Sequence, residues 1–275
     1  NELDRQVLDK PFESRHQTKS FTVAKPAAYR WYRFSFVPKG ASHFQVAEIA
    51  LVGVAFASGM SDDAPADYRR ELDISTGVHR TTFSQDGVTF TREAFASRPD
   101  QVLVFHYTTA KEGKPASALS GRLRLQPGQP DVQLAAEANG LSWDAVMPNE
   151  LKHACRLRVL HTGGSVTPDG DCLVFAGCDS LTLLLAARTD YAPDYQANWR
   201  GQPPAPVVAQ DIAAAEAKSF EALRQAHLDD LATLLGRVRV VWGRSDAATL
   251  ALPTDQRLAA YAQGASDPDL EQTMF

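Results

Sequence analysis

A chain of 275 residues with 44% hydrophobic side chains can fill one large core or two ordinary ones. Its formal charge of −5 comes from interspersed acids and bases, and no basic block is present to follow a phosphate backbone, which argues against a nucleic-acid partner. The longest apolar run, Leu181 to Ala187, falls far short of the roughly 18 to 20 residues a helix needs to cross a bilayer, so no stretch reads as a membrane span.

From Phe21 to about Thr189 the pattern is that of strands. Tyr32, Phe34 and Phe36 alternate with Arg33 and Ser35, the period of a half-buried strand. The segment Val78 to Glu93 predicts a hairpin whose turn contains Asp86-Gly87, a pair that tolerates positive φ. Further turns are expected at Asn139-Gly140, Gly163-Gly164 and Pro168-Asp169-Gly170, between runs such as Leu157 to Leu160 and Cys172 to Phe175. Short strands separated by regular turns mean a sandwich or a barrel. Leu181 to Ala187 is apolar at both alternating sets of positions, which predicts a central strand covered on both sides.

Cys155, Cys172 and Cys178 are an odd count at spacings that suit neither zinc nor a redox pair. A bridge between Cys155 and Cys172 is conceivable, but buried unpaired thiols and no metal are the expectation.

After Arg200 the texture changes. Pro203-Pro204-Ala205-Pro206 marks a linker, and from Val207 to about Leu235 no Gly or Pro interrupts strong helix formers. Ala213, Ala217, Phe220, Leu223, His227, Leu231 and Leu234 predict one apolar stripe on one long helix, closed near Gly236. Arg237 to Trp242 alternates like a single strand. A second helix is expected from Pro253 to Gly264 and a third from Asp267, cut short at Phe275, as though the chain continued into a further domain.

Two resemblances rest on these residues. Leu3-Asp4, Pro26 to Phe34 (PAAYRWYRF) and Phe44 to Leu51 (FQVAEIAL) resemble the last half of a discoidin-type, galactose-binding-like sandwich. Five blocks in order resemble the N-terminal sandwich and linker of the inverting α-L-fucosidases of glycoside hydrolase family 95. They are Tyr68 to Gly77 (YRRELDISTG), Thr91 to Val102 (TREAFASRPDQV), Leu183 to Tyr191 (LLLAARTDY), His227 to Val238, and Leu252 to Leu258 (LPTDQRL). That family carries over a hundred residues, with an Asn-Glu-x-x-Leu-Trp-like motif, ahead of the first block. Here discoidin-like strands run into it at Gly53 to Asp67, and Asn149-Glu150-Leu151 lacks the tryptophan, which favours an inserted module over a loss of chain.

The fold expected is mainly β, an antiparallel super-sandwich. It divides into a partial galactose-binding-like sandwich at 1–53, a family 95-type sandwich at 54–200, a helical linker at 201–252 and the start of an (α/α)6 catalytic barrel at 253–275. The resemblance implies the non-catalytic N-terminal portion of an exo-acting inverting glycosidase that releases terminal α-linked L-fucose, or L-galactose. It further implies a fucosylated glycan as substrate, a catalytic barrel later in the same protein, no cofactor, and a periplasmic or secreted place in a bacterium. The chain alone is expected to be inactive. The alternative is a stand-alone carbohydrate-binding or adhesion module.

Within the chain itself, inversion would need a proton donor and a base on opposite sides of the sugar. Glu71 with Asp73, at i and i+2 on a strand, and Asp190 with Asp194 are the acid pairs in question, and solvated or ion-paired roles are expected for Glu71 and Asp73. His227, with Asp230 one turn on, reads as a hydrogen-bonded seam histidine, and His79, His106, His153 and His161 form no ligand pattern. The loop from Thr189 to Arg200 follows the most buried strand and carries Asp190, Tyr191, Tyr195 and Trp199. These four are the substrate-binding candidates, with turn capping the competing role for Asp190, and the loop is expected to face the active-site mouth of the complete enzyme. Trp31 and Tyr32 are aromatic candidates by residue type only, with core packing the default for Trp31.

Overall fold

The computed structural model describes residues 4–5, 21–24, 65–129, 131–237 and 239–274. The chain divides into two compact units, Asn1–Gly59 and Met60–Phe275, and almost all the described residues belong to the second. The discoidin-like expectation, with Trp31, Tyr32, Phe34 and Phe36, lies outside the described residues.

In the second unit the strands are β1 (Ala66–Asp73), β2 (Val78–Gln85), β3 (Val88–Ser97), β4 (Val102–Lys111), β5 (Lys114–Pro115) and β6 (Leu119–Arg124). They continue as β7 (Ala135–Glu137), β8 (Gly140–Val146), β9 (Lys152–Thr162), β10 (Ser165–Asp169), β11 (Cys172–Cys178) and β12 (Ser180–Thr189). The large antiparallel sheet runs β1-β2-β3-β4-β12-β9-β8-β7, with β5 added beside β4, and a three-stranded sheet runs β10-β11-β6. All neighbouring strands pair antiparallel.

The turns fall where the chemistry asks for them. Asp86 (φ 53°) and Gly87 (φ 71°) close the β2–β3 hairpin in the positive-φ pair whose twist matches the flanking strands. Gly163 (φ 65°) and Gly164 (φ 55°) link β9 to β10 in the same way, and at Gly164 a Cβ would meet Ala176 O at 2.1 Å. Ala138-Asn139 joins β7 to β8, and Gly170-Asp171 joins β10 to β11.

β12 is the hub, as its two-sided apolarity predicts. Leu184 and Ala186 point into a core with Val78, Phe95, Val102, Val104 and Ala154, capped by Val208, Ile212, Ala215 and Leu223 from helices. Leu181 and Leu183 point the other way, into a core shared with Leu141, Leu157, Val159, Leu173 and Cys178, the last two from the small sheet. The architecture is therefore three layers: small sheet, large sheet, helices. All three cysteines are buried and free, and burial pushes the Cys155 thiol up to about 11.

The helical segment departs from expectation. Two helices replace the single one, α1 (Pro204–Glu216) and α2 (Phe220–Leu235). Ser219 stands extended between them and its side chain accepts from Ala222 N at 3.2 Å, an N-cap that restarts the helix without help from Gly or Pro. Lys218, in the break, reaches the buried carboxylate of Asp100 at 2.5 Å, itself bonded by Ser97 Oγ. The buried positions on α1 are Pro204, Val208, Ile212 and Ala215, while Ala213 and Ala217 are exposed. On α2, Leu223 and His227 are buried and Phe220 packs against the same core, so this half of the stripe holds up to His227, whereas Leu234 is exposed. Gly77 (φ 62°) lets the β1–β2 turn approach α2, where a Cβ would lie 3.0 Å from Leu231 Cδ2.

The expected strand at Arg237 to Trp242 is not formed: its described residues pair with no sheet. The reversal is physical, because alternation alone supplies no partner strand. A short helix, α3 (Ala247–Ala251), follows on an Asp246 cap, then α4 (Thr254–Ala262) and α5 (Pro268–Met274) as expected, with Gly264 at φ 94° closing α4. Asp267 ties this corner together. Its carboxylate, only 2% exposed, takes both Arg257 Nε and Nη2 (2.8 and 2.7 Å), Ser245 Oγ (2.6 Å) and Leu270 N (3.0 Å). The Arg257 guanidinium bonds hold it well below the usual carboxylate range.

Candidate functional site: the loop after the central strand

The loop after β12 is pinned at its root. Asp190 is 5% exposed, its Oδ1 accepts from Lys152 N at 2.9 Å, its own N–H donates to Lys152 O, and its carbonyl accepts from Gly201 N at 2.6 Å. Asp190 thus joins the loop's two ends to the start of β9 at one point, the carboxylate and N–H meeting Lys152 and the main-chain carbonyl holding Gly201. Tyr191 and Arg200 form an antiparallel bridge one residue further out, and Arg200 Nη2 donates to Asn149 O at 2.6 Å.

The tip is equally determined. Asp194 O accepts from Trp199 N (2.8 Å), Trp199 O from Ala192 N (3.2 Å), and Asp194 Oδ1 from Gln196 N (2.9 Å). These bonds hold Asn198 (φ 51°) and Trp199 (φ 59°) in the left-handed region, which a bulky side chain enters only when its surroundings force it.

Three large rings stand out from this frame: Tyr191 is 57% exposed, Tyr195 74% and Trp199 44%. The Tyr191 and Trp199 rings are parallel to within 1° with centroids 6.3 Å apart, and Tyr195 meets Trp199 edge-on at 6.3 Å. The structure therefore brings Tyr191, Tyr195 and Trp199 into one exposed cluster and places Asp190 beneath it as the anchor. Sequence reasoning missed the anchors outside the loop, Lys152, Asn149 and Gly201. All three act through main-chain atoms, Lys152 N and O, Gly201 N and Asn149 O, so their side chains leave no signal in the sequence.

The other acids and histidines are occupied by structure. Glu71 pairs with Arg69 at 2.6 Å. Asp73 accepts from Ser75 Oγ (2.6 Å) and N (2.9 Å), and the Ser75 hydroxyl bond holds it below the usual range. Buried His227 donates through Nε2 to Thr76 O at 2.8 Å and stacks on Phe95 at 4.9 Å, the seam role expected of it, while Asp230 faces Arg98. Trp143 Nε1 donates to His153 Nδ1, so the proton sits on His153 Nε2 and is given to Gln129 Oε1 at 2.6 Å. His106 stacks on Phe220 at 3.8 Å, and burial pushes it down from the ordinary histidine value against the pull of Glu93 and Glu221. Among the described residues no three His, Cys, Asp or Glu side chains converge on a metal-sized site.

A separate cleft of about 200 Å³ lies between α1 and β8–β9, with Leu141, Leu157 and Ile212 among its lining. Arg156 pairs with Asp144 at 2.8 Å and Arg158 Nη1 donates to Asn139 Oδ1 at 2.6 Å, while the buried Arg158 Nε lies 3.3 Å from Glu216 without a hydrogen bond. None of the aromatic loop lines it.

Residues 219–275 match the sequence model described as the glycosyl hydrolase family 95 catalytic domain. Alpha-L-fucosidase 2 of Arabidopsis thaliana is 27% identical over 249 residues, covering 82% of this chain and 29% of that protein. A probable alpha-fucosidase A of Aspergillus niger is 26% identical over 221 residues, covering 76% of this chain and 27% of that protein. The chain thus spans less than a third of the length of these curated relatives. A solved structure described as a putative kojibiose phosphorylase from human microbiome superposes with a TM-score of 0.40 at 10% identity, covering 61% of this chain and 25% of that one. Residues 19–194, well over half of the chain, match the model described as the glycosyl hydrolase family 65 N-terminal domain, and the chain belongs to that family.

Proposed function

We propose that this chain is the non-catalytic N-terminal region of an exo-acting, inverting glycosidase, periplasmic or secreted, that releases terminal α-linked L-fucose, or L-galactose, from glycans. The observation that carries the reading is order. A glycosidase N-terminal match is followed along the chain by a family 95 catalytic-domain match, and alpha-fucosidases align across both. Inversion needs two carboxyl groups about 6.5 to 9.5 Å apart with a water between them. Glu71, Asp73 and Asp190 are engaged by Arg69, Ser75 and Lys152, which supports placing that acid and base elsewhere in the protein. In this reading the loop from Thr189 to Arg200, with Asp190, Tyr191, Tyr195 and Trp199, shapes the mouth of the active site.

The test compares this chain with the longer protein on a chromogenic α-L-fucoside. The chain alone should match the background rate, while the longer protein turns over and, by NMR, releases the β-anomer first. Turnover by the chain that disappears on changing Asp190 or Glu71 overturns the assignment. A second reading, a binding module with no hydrolytic partner, draws support from the exposed rings of the loop. It predicts a longer protein that retains fucosides without cleaving them.

A further inference from the structure

We propose that the cleft between α1 and β8–β9 binds a small uncharged molecule bearing a primary carboxamide, whose carbonyl accepts from Arg158 Nε while its NH2 donates to Glu216. The proposal is independent of the glycosidase reading and starts from one atom. Among the described residues, Arg158 Nε is the single buried side-chain nitrogen or oxygen with no hydrogen-bond partner, and Arg158 belongs to the cleft wall. A buried donor without an acceptor is destabilising, and native folds keep few of them. At about 200 Å³ the cleft is far roomier than the single water that would meet this need. It is smaller than the about 300 to 1,000 Å³ of sites for drug-sized molecules, which sets the ligand at a handful of heavy atoms.

Small residues leave the space open. Ala209 and Ala213, four residues apart and so on one face of α1, line the cleft together with Gly140 at the start of β8. A Cβ at Gly140 would stand 2.9 Å from Leu157 O and 3.3 Å from Arg158 Nη1, so the glycine makes room for the guanidinium. Leu141, Leu157 and Ile212 give the cleft its apolar wall.

Charge selects the ligand class. Arg156 and Arg158 in the wall face the acids Glu137 and Glu216, and Arg156 already bonds Asp144. An anion would be brought beside two carboxylates and a cation beside two guanidinium groups, so neither gains a net attraction to offset its lost hydration. An uncharged ligand avoids that cost. Arg158 Nε and Glu216 Oε2 are 3.3 Å apart, yet no hydrogen bond joins them, which leaves a donor and an acceptor side by side. A primary carboxamide carries the complementary pair on one carbon, an acceptor oxygen beside an N–H donor. Its alkyl part then meets Leu141, Leu157 and Ile212.

Titrating this chain with isobutyramide while following arginine Nε–H and backbone amide resonances by 1H–15N NMR tests the proposal. The Arg158 Nε–H signal is expected to move downfield and saturate in the millimolar range, as befits so few heavy atoms, with the amides of Leu157, Ile212 and Ala213 moving in step. Isobutyrate and isobutylammonium, the same branched skeleton as an anion and a cation, should bind at least about tenfold more weakly. Ala213→Met, at an exposed helix position, should fill the cleft and abolish the shifts at unchanged melting temperature. Arg158→Lys, which keeps the charge and loses the Nε donor, should also bind at least about tenfold more weakly. An Arg158 Nε–H that shows no saturable shift overturns the site, since water or Glu216 then meets the donor. Shifts that persist undiminished in Ala213→Met overturn it too. Isobutyrate or isobutylammonium binding as tightly as isobutyramide overturns the carboxamide assignment.

Discussion

Replacing Phe220 by Ala removes the ring that stacks on His106 at 3.8 Å and leans on Phe95 at 6.0 Å, at the seam between α2 and the large sheet. Full burial would put the cost of Phe→Ala at about 3 to 5 kcal/mol. Phe220 is only partly buried, and Leu223, fully buried one turn on, still anchors the helix, so about 2 to 3 kcal/mol is expected. For a unit the size of Met60–Phe275 that corresponds to a fall in Tm of about 5 to 10 °C. The substitution also opens His106 to water, and burial is the main cause of its lowered pKa, so its titration should move up toward the ordinary value. The sign follows: folded His106 takes up a proton less readily than the unfolded chain does, so stability is lost as pH falls below about 6.5. That acid-side slope should be shallower in the variant. Melts at pH 7.5 and 5.5, with imidazole NMR titration, measure both effects. An unchanged Tm together with an unchanged His106 titration would mean that α2 bridges solvent and that the seam described above does not hold it.

Gly164→Ala should destabilise by about 2 kcal/mol or more, since the new Cβ meets backbone at 2.1 Å and φ is positive, and a urea melt reads it directly. Cys155 should resist Ellman's reagent at pH 8 in the native protein, its thiol being pushed up to about 11, and all three thiols should react after unfolding. Asp267→Asn should loosen the α4–α5 corner, seen as faster limited proteolysis there. In the parent protein the contribution of Asp267 should be intact at neutral pH and fade only as pH falls below the ordinary carboxylate value toward its depressed one.

The sheet was legible because its signals are local. Asp86-Gly87 favours a tight turn, and the run Leu181 to Ala187, apolar but for Thr182, points to a strand with two covered faces. The helix break at Lys218-Ser219 was not, because its lysine is held by Asp100, more than a hundred residues away in the β3–β4 turn. Nor was the absence of a strand at Arg237 to Trp242, where side-chain alternation is present and a partner edge is not. The loop residues could be singled out from their place after a buried strand. That Asp190 would anchor while three rings faced outward depended on Lys152, which the sequence does not mark.

Because each face of β12 belongs to a different core, the strand cannot be uncovered without disrupting both, and its amides should exchange with solvent deuterium only through opening of the whole layered body. The loop shares this protection at its base. The amides of Asp190 and Gly201, bonded at the strand's end, should be among the slower loop protons, while those of Gln196 to Asn198, bonded only within the exposed tip to Asp194 and Tyr195, should exchange faster. Tyr191 and Trp199, parallel to each other, and Tyr195, edge-on to Trp199, thus stand on a short stem whose base opens only with the domain beneath it.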